Sequence, residues 1–97
     1  MPEMHFVVRW PDQIEVRCYS PSRVVRQYLE VGHSYPIDEF LRRSREMLAI
    51  ASERVKAKYG FGCTAAMDQL GDIEARASRY EATASVTVVR FESPEGA

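Results

Sequence analysis

A chain of 97 residues has room for one hydrophobic core, and by burying roughly 65% of its unfolded surface it needs neither disulfide nor metal to hold that core. Hydrophobic residues make up 45% and charged residues 28%, which excludes a disordered chain, a collagen-like repeat and a disulfide scaffold, and no apolar run reaches the eighteen or so residues of a membrane span. Thirteen Lys and Arg against fourteen Asp and Glu give a net charge of −1, so there is no basic excess for nucleic acid or an anionic membrane surface.

The first element is a strand over residues 5–10, with Phe6, Val8 and Trp10 on one face at period two. A second strand over 14–19 places Ile14, Val16 and Cys18 inward and Glu15 and Arg17 toward solvent. Pro11-Asp12-Gln13 between them predicts a hairpin. No glycine supplies a positive φ there, so a type I turn with a bulge is expected. Ser20 then reads as an N-cap and Pro21 as the first residue of a helix of about three turns, with Val24, Val25, Tyr28 and Leu29 as its apolar face and Gly32 as its terminator. His33-Ser34-Tyr35 reads as a linker. From Pro36 a long helix of about 24 residues, roughly 36 Å, runs to Gly60. Its apolar set is Ile37, Leu41, Leu48, Ala51 and Val55, widened by Phe40, Met47 and Tyr59. Asp38 and Glu39 face the positive end of its dipole, and Glu39–Arg43 and Arg42–Glu46 are spaced as helix ion pairs.

A third helix opens at Cys63-Thr64 and carries Met67, Leu70, Ile73, Ala77 and Tyr80. Gly71 inside it costs helix propensity, which a close helix crossing would explain. Residues 84–91 form the last strand. Val86 and Val88 share a face, while Val89 and Phe91 switch, which points to a bulge or to a strand covered on both sides. The order is ββαααβ. It predicts an α+β domain over residues 1–97, with 92–97 a frayed tail: a three-stranded antiparallel sheet packed against the long central helix and the shorter ones.

Cys63 is the residue best placed for chemistry, since N–H groups and the dipole at a helix start stabilise a thiolate. The plainer reading is a small apolar packing residue, and no base is paired with it in the sequence. His5, His33, Cys18 and Cys63 could make up a Cys2His2 set, but none of them are spaced as the close pairs that structural zinc uses, so no metal site is expected. His5 reads as solvent-facing on an edge strand and His33 as a linker residue that bonds backbone. Asp68, Asp72 and Glu81 read as a solvated helix face. Gly60-x-Gly62 lacks the strand and the further glycine of a phosphate loop. No catalytic, cofactor-binding or metal-binding residue is assigned, and no cofactor is expected.

Trp10, Tyr19, Tyr28, Tyr35, Tyr59 and Tyr80 are amphipathic aromatics, and a partner surface around Trp10, Tyr35 and Tyr59 is expected. The long helix exceeds what a three-stranded sheet about 15 Å wide can cover, so Phe40, Met47 and Tyr59 are expected to seek a second copy in a homodimer. The N-terminus has no basic stretch followed by an apolar segment. A cytoplasmic protein whose two cysteines stay unbonded is therefore expected.

Met1-Pro2-Glu3-Met4, Arg9-Trp10-Pro11-Asp12, Cys18-Tyr19-Ser20-Pro21-Ser22, Tyr28-Leu29-Glu30-Val31-Gly32, Ser34-Tyr35-Pro36 and the run from Ile50 to Phe61 together resemble a small bacterial family of nitrogen-starvation response proteins. That family is encoded in clusters with a nitrilase, a radical-SAM protein, an acetyltransferase-like protein and a flavin-dependent oxidoreductase. Its members commonly carry Gly after Pro-Asp, where Gln13 stands here. The resemblance implies a cytoplasmic role under nitrogen limitation in a nitrile- or cyanide-linked pathway, with a protein partner from that pathway. It transfers no catalytic residue. Two functions follow: a non-catalytic accessory or regulatory protein that binds a pathway protein or small ligand, or a small thiol-dependent enzyme or carrier using Cys63. A dimeric ligand-binding or transcription-linked module is a third, against which the neutral charge counts.

Overall fold

Alternating ends and a helical middle fold into a sheet with its helices packed on one face. A computed structural model describes residues 4–20, 23–60 and 64–92, apart from the side chains of Tyr59 and Thr64. The elements are β1 (Met4–Arg9), β2 (Glu15–Ser20), α1 (Val25–Tyr28), β3 (Ser34–Pro36), α2 (Ile37–Tyr59), α3 (Thr64–Ala77) and β4 (Ser85–Glu92). The antiparallel sheet has four strands in the order β2-β1-β4-β3, not three. As expected, the last strand joins the hairpin, pairing with β1. The predicted frayed tail lies beyond the described residues, save for Glu92, which ends β4. No helix among the described residues is long and apolar enough to cross a membrane.

The hairpin closes with Gln13 N–H donating to the Trp10 carbonyl (2.8 Å) and Trp10 N–H donating to that of Ile14 (3.0 Å). Gln13 has φ 70°, a left-handed conformation, so the tight turn is followed by the bulge residue that the sequence predicts. The position that calls for glycine is filled by glutamine. Asp12 Oδ1 accepts from Ile14 N–H at 3.1 Å and fixes the loop from within. Ile14 sits at this tip and is 52% exposed, not inward as its alternation suggested.

The predicted linker is the fourth strand. Ser34, Tyr35 and Pro36 pair with Thr87, Val86 and Ser85. Pro36 is tolerated because the strand lies at the sheet edge. The same pairing shortens the helix before it. Gly32 N–H donates to the Val88 carbonyl (2.7 Å) and Val88 N–H to that of His33 (3.0 Å), so this backbone is committed to β4. Leu29 is already extended (φ −131°, ψ 144°), leaving α1 a single turn. Ser20 ends β2 instead of capping a helix, Pro21 lies outside the described residues, and Gly32 (φ 84°) serves a turn, not a helix end.

The long helix α2 is as expected. Gly60 ends it in the left-handed conformation (φ 86°), with its N–H bonded to Lys56 O. Glu39 pairs with Arg43 at 2.8 Å and Arg42 with Glu46 at 3.1 Å. Phe40 and Met47, predicted to be surplus, are fully buried with Leu48 and Ala51. A fourth strand and α3 give the helix more to cover, so Phe40 and Met47 are not free for a second copy; the side chain of Tyr59, the third residue of that expectation, lies outside the described residues. Gly71 is not at a close crossing: a Cβ there would meet nothing within 4 Å.

Residues paired across antiparallel strands share a face. Met4, Phe6 and Val8 of β1 lie on the helix side with Cys18, Val16, Val88 and Phe91. The register slips between Val7 and Val8, so Val89 and Arg90 stand between two inward residues of β4. This is the predicted bulge, and it keeps Phe91 on the core side. Fully burying each of Phe6, Phe40 and Leu48 stabilises the fold by about 1.5–3 kcal/mol. The outer face carries a chain of charges instead: Arg9–Glu15 (2.9 Å), Arg90–Glu92 (2.9 Å) and Arg17–Glu92 (2.8 Å), with Arg17 at 3.3 Å from His5 Nδ1. His5 is therefore on the outer face, but on an inner strand of the sheet, not at its edge.

Candidate functional site

Of the residues singled out in the sequence, Trp10 and Tyr35 are in the core, 1% and 5% exposed, and cannot carry a partner surface. For Tyr35 the reason lies at its polar tip. Tyr35 Oη accepts from Glu30 N–H at 3.0 Å, so its hydroxyl needs no solvent, and the Arg43 guanidinium lies 4.9 Å from its ring centre. The side chain of Tyr59 and all of Cys63 lie outside the described residues. His33, just before β3, bonds through its own main chain, its N–H to the Glu30 carbonyl (3.2 Å) and its carbonyl to Val88 N–H (3.0 Å), and its ring sits 4.4 Å from that of Tyr35. Among the described residues no group of three His, Cys, Asp or Glu could hold a metal ion.

What the fold brings together is a cluster at the tip of the hairpin. Tyr80, just past α3, stacks on Trp10 with ring centres 5.8 Å apart, and Phe40 meets the same indole edge-on at 5.6 Å. The Tyr80 hydroxyl donates to Asp12 Oδ2 at 2.6 Å. The Arg76 guanidinium lies 5.7 Å from the Trp10 ring centre and 3.5 Å from Asp12 Oδ2. The Tyr80 hydrogen bond, with the Arg76 charge behind it, holds the Asp12 carboxyl below its usual range, and Asp12 in turn raises the Tyr80 phenol.

Beside this cluster a half-open pocket of about 220 Å³ lies between β2 and α3. Trp10, Val16 and Cys18 line it from the hairpin; Gln69, Asp72, Ile73, Ala75, Arg76 and Arg79 line it from α3 and the turn after it. Gln69 also receives Tyr19 N–H (2.9 Å), tying α3 to the edge strand. The Cys18 thiol is pushed up to about 12, first by burial and then by the Asp72 charge, with Arg76 opposing. It stays protonated at neutral pH and packs as an apolar group with no nucleophilic role.

Two hydrogen-bond donors of this pocket's residues are unmet. Trp10 Nε1 and Arg76 Nε are both buried without an acceptor among the described residues. Such a group costs about 1–3 kcal/mol when left unpaired, so an acceptor from outside the chain that reaches these atoms, with a small side-chain shift to open them to the pocket, would be bound favourably. A second pocket, about 250 Å³, lies between α1 and β3 beside Tyr28, His33, Tyr35 and Arg43, but it has no buried unpaired donor among the described residues, and its Arg43 is engaged, donating to the Tyr28 carbonyl (2.7 Å) and to Glu39 (2.8 Å). The first pocket is therefore the candidate site.

Sequence reasoning missed it. Gln69, Asp72, Ile73 and Arg76 recur at one helix face, but polar residues at that spacing read as solvated. The available signal was Trp10 itself, an inward residue whose N–H requires an acceptor.

No curated protein and no solved structure matches the chain. The family model described as nitrogen starvation-induced protein NitG matches residues 5–91. That span runs from β1 to Phe91 on β4 and takes in the hairpin tip and every lining residue of the pocket, so the chain belongs to the NitG family of nitrogen starvation-induced proteins.

Proposed function

We propose that this protein is a non-catalytic accessory component of the nitrogen-starvation response, acting by binding, and that the pocket between Trp10 and Arg76 is where it binds. Family membership supports the setting. The pair of buried, unpaired donors at one pocket carries the binding part. The pathway is the nitrile- or cyanide-linked nitrogen scavenging that the sequence resemblance implies, and the cytoplasm is the compartment. The competing function is a thiol-dependent enzyme or carrier using Cys63.

Growth of a deletion strain under nitrogen limitation on a nitrile source separates the two. A copy carrying Arg76→Gln, folded and at normal abundance, fails to restore growth, whereas Cys63→Ser restores it. If Cys63→Ser abolishes growth and Arg76→Gln does not, the accessory function is wrong and a thiol chemistry takes its place.

A further inference from the structure

We infer that the pocket between β2 and α3 binds a small zwitterionic carboxylate, a molecule of amino-acid size with an acidic and an amino group. This rests on the binding function proposed above and names its ligand class. Three features carry it. The indole N–H can only donate, and the Arg76 guanidinium has five N–H donors and no acceptor, so the unmet partners at Trp10 Nε1 and Arg76 Nε are acceptors. Asp12 approaches Arg76 most closely at its NH2 end, at 3.5 Å, well beyond the 2.7–2.9 Å of a strong charge-assisted bond, and Nε has no partner among the described residues, which leaves that edge of the fork for a ligand. A carboxylate offers two oxygens to the two donors.

The other end of the ligand is set by Asp72. It lines the same pocket one helical turn before Arg76, and no ion pair engages it among the described residues. Its charge and that of Arg76 act on the Cys18 thiol in opposite senses, so both reach the same interior point. A doubly charged oxyanion such as phosphate would meet Arg76 and Arg79 but also the Asp72 carboxylate, whereas the ammonium group of a zwitterion would pair with Asp72 while its carboxylate meets the arginines. Size gives the last limit. The pocket has room for about seven waters at roughly 30 Å³ each, and Val16, Cys18, Ile73 and Ala75 make part of its wall apolar beside the polar groups, which suits a short aliphatic chain.

Trp10 is the only tryptophan, so the indole N–H gives a single, assigned signal in a ¹⁵N correlation spectrum of the whole chain. Titrations with glycine, alanine, acetate, methylammonium and inorganic phosphate are compared. Glycine or alanine moves the Trp10 indole signal saturably; acetate does so more weakly, and methylammonium and phosphate do not. Arg76→Gln weakens amino-acid binding by about tenfold or more, the loss of a charge-assisted bond. Asp72→Asn, an exposed position that leaves the core alone, brings amino-acid affinity down to that of acetate. Tighter binding of phosphate, equal affinity in Asp72→Asn, or an indole signal unmoved by every compound overturns the ligand class, the last meaning that water alone satisfies the donors. If no compound binds while Arg76→Gln still fails in the growth assay, the ligand class falls and the binding function stands. If glycine binds but folded Arg76→Gln restores growth, the site stands and its assigned role falls.

Discussion

Replacing Gln13 by glycine should stabilise the protein. Gln13 holds φ 70° in the hairpin loop, where a side chain's Cβ crowds the following carbonyl at a cost of about 1–2 kcal/mol. Glycine removes that cost but gives back about 0.5–1 kcal/mol through the greater freedom of the unfolded chain. The net gain is about 0.5–1 kcal/mol, or roughly 2–8 °C in melting temperature for a chain of this size. Gln13 is exposed, so little side-chain packing is lost. Urea unfolding followed by the fluorescence of Trp10, the only tryptophan, reads the change with no added probe. Two controls fix the cause. Gln13→Ala keeps the Cβ and should change little. Gln13→Pro cannot adopt the conformation and removes the N–H that bonds to Trp10, so it should cost about 3 kcal/mol or more. A Gly variant no more stable than wild type, or an Ala variant as stable as the Gly one, would refute the backbone-strain argument.

Gly71→Ala should add about 0.5–1 kcal/mol, because an exposed helix interior gains propensity and the new methyl meets nothing; a loss of stability in thermal unfolding would restore the close helix crossing. In a Cys63→Ser background the Cys18 thiol should resist a disulfide reagent in the native state and react at once in denaturant, since with a pKa of about 12 only about one thiol in 100,000 is ionised at neutral pH; rapid native labelling would contradict its burial. Asp12 has a folded pKa below its unfolded value, so its contribution is present above the usual carboxylate value near about 3.9 and is lost as pH falls through the folded one. The melting-temperature gap between wild type and Asp12→Asn should therefore shrink on acidification, and a gap that widens would contradict the sign.

Elements with a sustained period were legible in the sequence, and those defined by what they touch were not. The hairpin, the 23-residue α2 and the β4 bulge all announce themselves in side-chain alternation. β3 is three residues with a proline, too short to alternate, and it exists because β4 offers it an edge. That pairing also cuts α1 to one turn, which no local signal foretells. Alternation puts Trp10 on the face of Phe6 and Val8, yet a polar tip makes it and Tyr35 equally fit for a partner surface, and the sequence does not decide between the two. Tyr35 is buried with its hydroxyl answered by the Glu30 amide, whereas Trp10 is buried by the rings of Phe40 and Tyr80 with its N–H unanswered. The candidate site follows from that difference, and half of its lining comes from an α3 face whose polar residues look like ordinary solvent contacts.

The binding function stands or falls on whether the Trp10 N–H meets a natural ligand. The small-molecule fraction of nitrogen-starved cells, added to the ¹⁵N-labelled chain, should shift the single indole signal, and the same fraction from nitrogen-replete cells should do so less. The shift should vanish in a folded Arg76→Gln variant, which lacks the neighbouring guanidinium. An indole signal that stays in place with the starved-cell fraction, or that moves equally in Arg76→Gln, would contradict a binding site between Trp10 and Arg76.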